Sequence, residues 1–118
     1  MGRIEKVNQQ VKREISYILQ RDLGDPRFRF VTITEAIVSK DLRHSKVFYS
    51  VLGDPDKRES VKRAFEEARG LIRKLLGQRL TIRYTPELFF SYDESLERSA
   101  RIDQRIQEIR NELNQETK

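Results

Sequence analysis

The residues best equipped for chemistry in this chain are cations. Residues 56–83 hold nine Lys or Arg against four Asp or Glu. Arg69, Arg73, Lys74, Arg79 and Arg83 cluster in the second half of that stretch, with Lys62 and Arg63 just ahead of them. Phosphate is their natural partner. A guanidinium presents a planar fork that matches phosphate oxygens and stacks on bases, and phosphate contacts supply much of the affinity of nucleic-acid-binding proteins. A solvated helix face uses the same residue types, so composition alone leaves both readings open; the share of arginine tilts the balance toward phosphate. Other chemistries lack material. With no cysteine there is no thiolate nucleophile or thiolate metal site. One histidine, His44, is too little for a zinc site or a Ser-His-Asp triad. Asp93, Glu94 and Glu97 resemble an acid–base or metal cluster, but they open a predicted helix, where carboxylates complement the helix dipole. We therefore assign no catalytic residue, no metal ligand and no cofactor.

The rest of the chain must position those cations. Its 118 residues suit one domain. Hydrophobic and charged residues each make up 36%, so the core is small and the surface densely charged. The net charge is +5, and it is uneven: residues 84–118 carry five basic and eight acidic groups, opposite in sign to what precedes them. Such asymmetry points to a polyanionic partner for the basic part. No apolar run reaches the length of a membrane span, the N-terminus leads into no signal-type stretch, and the absence of cysteine fits a reducing, cytoplasmic setting.

Periodicity supplies the elements. Ile4, Val7, Val11, Ile15 and Ile18 share one face of a first helix, which ends where Gly24 can take a left-handed cap and Pro26 blocks continuation. Phe30–Thr34 alternates as a strand that Ala36–Val38 extends. Ser45–Leu52 is a second strand, with Val47, Tyr49 and Val51 on one side and Phe48 on the other. Tyr49 and Phe48 are read as packing residues ahead of base-stacking ones. Val61, Ala64, Phe65 and Ala68 form one helical stripe, and Leu71, Ile72, Leu75, Leu76 and Leu80 another. Gly70 lies between them, costly inside a helix, and predicts a break there. Leu88–Tyr92 is a third strand, and Ile102, Ile106, Ile109 and Leu113 line a last helix. The expected class is α+β, a type II KH-like αββααβ order with a three-stranded sheet, a kinked central helix pair and an added C-terminal helix. Residues 1–95 form the RNA-binding domain and residues 96–118 the C-terminal helix or extension.

KH modules clamp a nucleic-acid backbone with a GxxG loop between their central helices. None occurs here; the break reads Ala68-Arg69-Gly70. Several spaced motifs resemble the ribosome-binding factor A family of bacterial small-subunit assembly factors. They are Asp25-Pro26-Arg27, Phe30-Val31-Thr32-Ile33-Thr34, Lys46-Val47-Phe48-Tyr49-Ser50-Val51, Ala68-Arg69-Gly70, Arg83-Tyr84-Thr85-Pro86-Glu87-Leu88 and Asp93-Glu94-Ser95. The resemblance implies an alanine-any-glycine kink at Ala68 and Gly70 in place of the GxxG loop. It further implies binding to the free small ribosomal subunit and its ribosomal RNA during late maturation and rRNA processing, then release, by a monomer without catalysis. Two positions depart from the family pattern: Arg29, often glycine, and Ser45, often alanine. The RNA-contact set is thus Lys62, Arg63, Arg69, Gly70, Arg73, Lys74, Arg79 and Arg83. Arg27 is read as tying its turn to the fold. A protein-interaction module docking through the C-terminal helix is the alternative.

Overall fold

The computed structural model describes residues 2–95. Helix α1, Arg3–Tyr17, turns Val7, Val11 and Ile15 into the core, as its spacing requires. Its end widens into a π-helical turn, Ile18–Asp22, closed by the Leu23 N–H donating to the Ile18 carbonyl at 3.1 Å. The wider turn buries Ile18 and Leu19 together. Gly24 then takes φ +61°, the left-handed cap anticipated from the sequence.

A single 3₁₀ turn, Pro26–Phe28, follows. Asp25 caps it by accepting from the Arg27 N–H at 2.9 Å. Arg27 also donates through Nη2 to Asp25 at 2.8 Å and to Glu67, far along the chain, at 2.7 Å. Phe28, buried just beyond, packs on Phe65 with ring centroids 4.8 Å apart. The Asp-Pro-Arg-Phe segment is therefore a latch, polar outside and aromatic inside.

The sheet has strand order β1-β2-β3, with β1 Val31–Val38, β2 His44–Val51 and β3 Glu87–Tyr92. β1 and β2 pair antiparallel, and the register slips between Ile33 and Glu35. This bulge explains the sequence: Val31 and Ile33 face the core before it, Ala36 and Val38 after it, so the buried positions change from odd to even. Thr34, the extra residue, donates its hydroxyl to Asp93 beyond the end of β3. The Asp93 N–H donates to the Tyr49 carbonyl at 2.7 Å. All three strands are thereby fastened at one level. Asn8 of α1 accepts from the Val38 N–H at 2.8 Å at the other end of β1. Tyr49 is buried among Phe65, at 4.5 Å, and Tyr92, at 6.0 Å, while Phe48 is half-buried on the opposite face. Burial holds the Tyr49 phenol above its ordinary pKa.

β2 and β3 run parallel, and parallel neighbours need a long crossover. That crossover is helix α2, Asp56–Arg79. Here the structure corrects the expected pair of central helices. α2 is one uninterrupted helix through Ala68 and Gly70, and it carries both apolar stripes on one face: Val61, Ala64, Phe65, Ile72 and Leu76 are all buried. Gly70 does not take a left-handed φ. A Cβ placed there meets nothing within 4 Å. The glycine with a steric reason is Gly77, where an added Cβ would lie 2.5 Å from Thr85 Oγ1. The loop returning to β3 rests directly on the helix at that point.

Ser45 carries a cost. It is fully buried, and its hydroxyl has no hydrogen-bond partner among the described residues, where an alanine would leave no polar group unsatisfied. The predicted C-terminal helix, with Ile102, Ile106, Ile109 and Leu113, lies outside the described residues, as do Glu97 and the boundary proposed at residue 96.

The two glycines of α2 should answer oppositely to alanine. Gly70→Ala should raise stability by up to about 1 kcal/mol, the ordinary helix-propensity gain. Gly77→Ala should lower it, because Thr85 must move. Denaturant midpoints of the two variants check this; an equal gain from both would contradict the close approach.

Candidate nucleic-acid interface

α2 turns two adjacent flanks away from the core. At helical spacing, Lys62, Glu66, Arg69 and Arg73 share the flank toward the edge of β3. Arg63, Gly70 and Lys74 share the next one, toward solvent, and every one of these seven is exposed. Two acids share these flanks, Glu66 and Glu67, four and three residues before Gly70, and Glu67 is paired with Arg27. Gly70 sits in the middle, so the helix surface is bare there, with Arg69, Arg73 and Lys74 on one side and Glu66 and Glu67 one turn before it. What the sequence suggested as a kink is instead a gap in the side-chain layer, through which a ligand's backbone can approach the helix.

The flank toward β3 is tied into the fold. Leu88 and its alternate neighbours aim their backbone groups at the free edge, because Glu87 and Asp93 donate inward, to the Arg43 and Tyr49 carbonyls at 2.8 and 2.7 Å. Arg69 Nη1 reaches the Leu88 carbonyl at a long 3.4 Å. Arg73 Nη2 donates to the Thr85 carbonyl at 3.1 Å. Beside them, Tyr49, Lys62, Phe65, Glu66, Arg69, Phe89 and Phe90 line a shallow cleft of about 170 Å³ between helix and strand. Phe65 and Phe90 stack at 4.4 Å to form its floor.

The structure divides the sequence-predicted cations. Lys62, Arg63, Arg69, Arg73 and Lys74 gather on one surface with Gly70. Arg79 does not join them. It faces α1, where Nη2 meets Asp22 at 2.7 Å and Nη1 meets Glu14 at 3.3 Å. The carboxylates, Asp22 foremost, raise its pKa, so its charge is satisfied within the fold. The π-helical turn is what brings Asp22 and α2 within reach of each other. Arg83 lies in the loop after α2, 5.3 Å from the ring of Tyr84. Sequence reasoning missed Tyr84 itself, 58% exposed, and Arg43, whose guanidinium stands 6.0 Å from the same ring. The Arg-Tyr doublet was the available signal for Tyr84; nothing local places Arg43 beside it.

Arg27 is occupied by its latch and contributes nothing to this surface. Hydrogen bonds from the Arg27 side chain, then from its N–H, hold the Asp25 carboxyl below the ordinary range, and the same guanidinium lowers Glu67. Asp93 is engaged by Thr34 and by the Ser95 N–H at 2.8 Å. No cluster of potential metal ligands occurs among the described residues, and no helix there is long and apolar enough to cross a membrane.

A three-stranded α+β fold with a parallel crossover helix, cationic along its outer flanks, is a KH-like module. A family model described as Ribosome-binding factor A matches residues 3–106, and the chain belongs to that family. Ribosome-binding factor A of Halothermothrix orenii is 44% identical over 110 residues, covering 93% of this chain and 90% of the relative. The crystal structure of ribosome-binding factor A from Thermus thermophilus matches with a TM-score of 0.68 at 26% identity, over 78% of this chain and 97% of that one. Coordinates of the ribosome-binding factor A of the same organism, fitted into the cryo-EM map of a 30S–RbfA complex, match with a TM-score of 0.62, again at 26% identity, over 74% of this chain and 91% of that one.

The latch makes a pH prediction. Both carboxyls have folded pKa values below their unfolded ones, so their contribution is complete above about pH 5 and is lost as pH falls through the folded values. The stability gap between wild type and Arg27→Gln should be constant near neutrality and shrink below about pH 5. Urea unfolding across pH measures it; a gap that persists unchanged in acid would contradict the ion-pair geometry.

Proposed function

We propose that the chain binds the free small ribosomal subunit through its ribosomal RNA during late maturation and rRNA processing, and is then released, acting as a monomer without catalysis. The observation that carries this reading is the gathering of Lys62, Arg63, Arg69, Arg73 and Lys74 on the outer flanks of α2 on either side of the bare Gly70, none of them held in an ion pair among the described residues. Membership of the ribosome-binding factor A family and the likeness to a chain fitted into a 30S complex support it. Residues 1–95 carry the RNA-binding surface, and residues 96–118 are an extension to it. The function belongs in the cytoplasm, where small subunits mature.

On this reading Gly70 acts in binding rather than in folding, which the open space around it supports. A side chain at that position fills the gap between Arg73 and Lys74 and holds an RNA backbone off the helix.

Binding should weaken steeply with salt, with a log–log slope of about −0.7 per neutralised phosphate of a single strand. Replacing Lys62 and Lys74 together with Ala should flatten that slope by about 1.4. Arg79→Ala should leave the slope unchanged and lower the melting temperature, since it breaks the tie to Glu14 and Asp22. Filter binding to small-subunit RNA at several salt concentrations, with melting curves alongside, checks both. A double variant with the wild-type slope, or an Arg79→Ala protein with a flattened slope and normal melting, would contradict the assignment.

A further inference from the structure

Tyr84 is a large aromatic side chain, 58% exposed, on a loop that is not free to move. Thr85, next to it, rests against Gly77 and gives its carbonyl to Arg73 at 3.1 Å. Pro86 is fully buried, and the Glu87 N–H donates to the Arg43 carbonyl at 2.8 Å. The ring is therefore presented to solvent from a fixed backbone.

Two guanidiniums accompany it, from separate parts of the chain. Arg83 precedes it in the same loop, its guanidinium 5.3 Å from the ring centroid. Arg43 comes from the turn between β1 and β2, its guanidinium at 6.0 Å. That turn is also rigid. Leu42 takes φ +61°, packs its side chain against the core, and donates its N–H to the Ser39 carbonyl at 2.9 Å. Asp41 accepts from the Ser39 hydroxyl at 2.6 Å and the Arg43 N–H at 3.1 Å. The residue after Arg43 continues the row: the His44 ring lies 5.9 Å from that of Phe89, which is 41% exposed.

Both guanidiniums stand over the exposed ring, so a nucleobase that stacks on its face displaces a guanidinium, which is left to meet the adjoining phosphates. We infer that Tyr84, with Arg43 and Arg83, is a stacking platform for one unpaired nucleotide of single-stranded RNA, and that His44 and Phe89 receive its neighbour. The inference rests on the RNA-binding reading above and adds a preference to it. The cations of α2 meet phosphate in any RNA, whereas a stacking platform requires a base whose face is open, which a duplex does not offer. Single-stranded selectivity thus resides in the α2–β3 loop and the β1–β2 turn, and not on α2.

The chain contains no tryptophan, so a Tyr84→Trp variant carries a single indole at the platform. The probes are a short unstructured RNA oligomer and the same oligomer annealed to its complement. Tyr84→Ala should weaken single-strand binding about tenfold and leave duplex binding unchanged, while Tyr84→Phe retains the wild-type affinity. Saturating single strand should quench the indole of Tyr84→Trp, and duplex should not. Wild-type single-strand affinity in Tyr84→Ala, or an indole unmoved by saturating single strand, would overturn the platform while the phosphate-binding face of α2 stands. A wild-type chain that binds neither probe would overturn both.

Discussion

The closure of a parallel crossover is the constraint on which this fold depends. β2 and β3 run the same way side by side, so one helix must carry the chain back along the sheet and deliver it to the start of β3. The delivery is made at Gly77, where only a missing side chain lets Thr85 settle on α2, and it is held by Arg73 on the Thr85 carbonyl. Pro86 and Leu88 enter the core immediately afterwards. If that loop stood further off the helix, β3 would lose its place beside β2 and the aromatic cluster around Phe65 would lose Phe90. Phe90 is half-buried there, stacked on Phe65 at 4.4 Å.

The same closure organises the charged surface. A helix packed on a sheet through one stripe must leave its other flanks open, and here they carry cations whose roles are divided by where the neighbours lie. Arg79 faces α1 and is consumed by Glu14 and Asp22. Arg27 is consumed by Asp25 and Glu67. These exposed pairs add little energy, but they register the latch and α1 against α2. The cations left over lie on the outer flanks of α2, on either side of Gly70, and adjoin the Tyr84 loop. Folding thus sorts a basic sequence into arginines that hold the domain together and cations available to a polyanion.

Much of this is legible in the sequence because burial imposes a period. The stripe of α1, the alternation of β2, the buried positions of α2 and the left-handed Gly24 all follow from local geometry. The change of phase within β1 is present too, as Val31 and Ile33 giving way to Ala36 and Val38, and it becomes intelligible once Thr34 is seen as a bulge. Gly70 misleads for a physical reason: a glycine inside a helical pattern marks a break only if the backbone needs it, and here the neighbouring apolar contacts keep the helix whole. Gly77, seven residues further along the same helix, is the one that a distant residue explains. Arg79 and Arg43 are opaque in the same way. Whether a cation is spent or free, and which ring it stands over, depends on residues tens of positions away, which no spacing reveals.

The central claim is that one continuous surface, running from the outer flanks of α2 to the Tyr84 loop, meets the small subunit. Hydroxyl-radical footprinting of the chain bound to free small subunits, read by mass spectrometry at single side chains, tests it most directly. The account predicts that Tyr84 and Phe89 lose reactivity on binding, while Tyr17 on α1 and Phe30 ahead of β1, 42% and 46% exposed, keep theirs. Protection of Tyr17 and Phe30 with Tyr84 and Phe89 unchanged would place the contact away from this surface and contradict it.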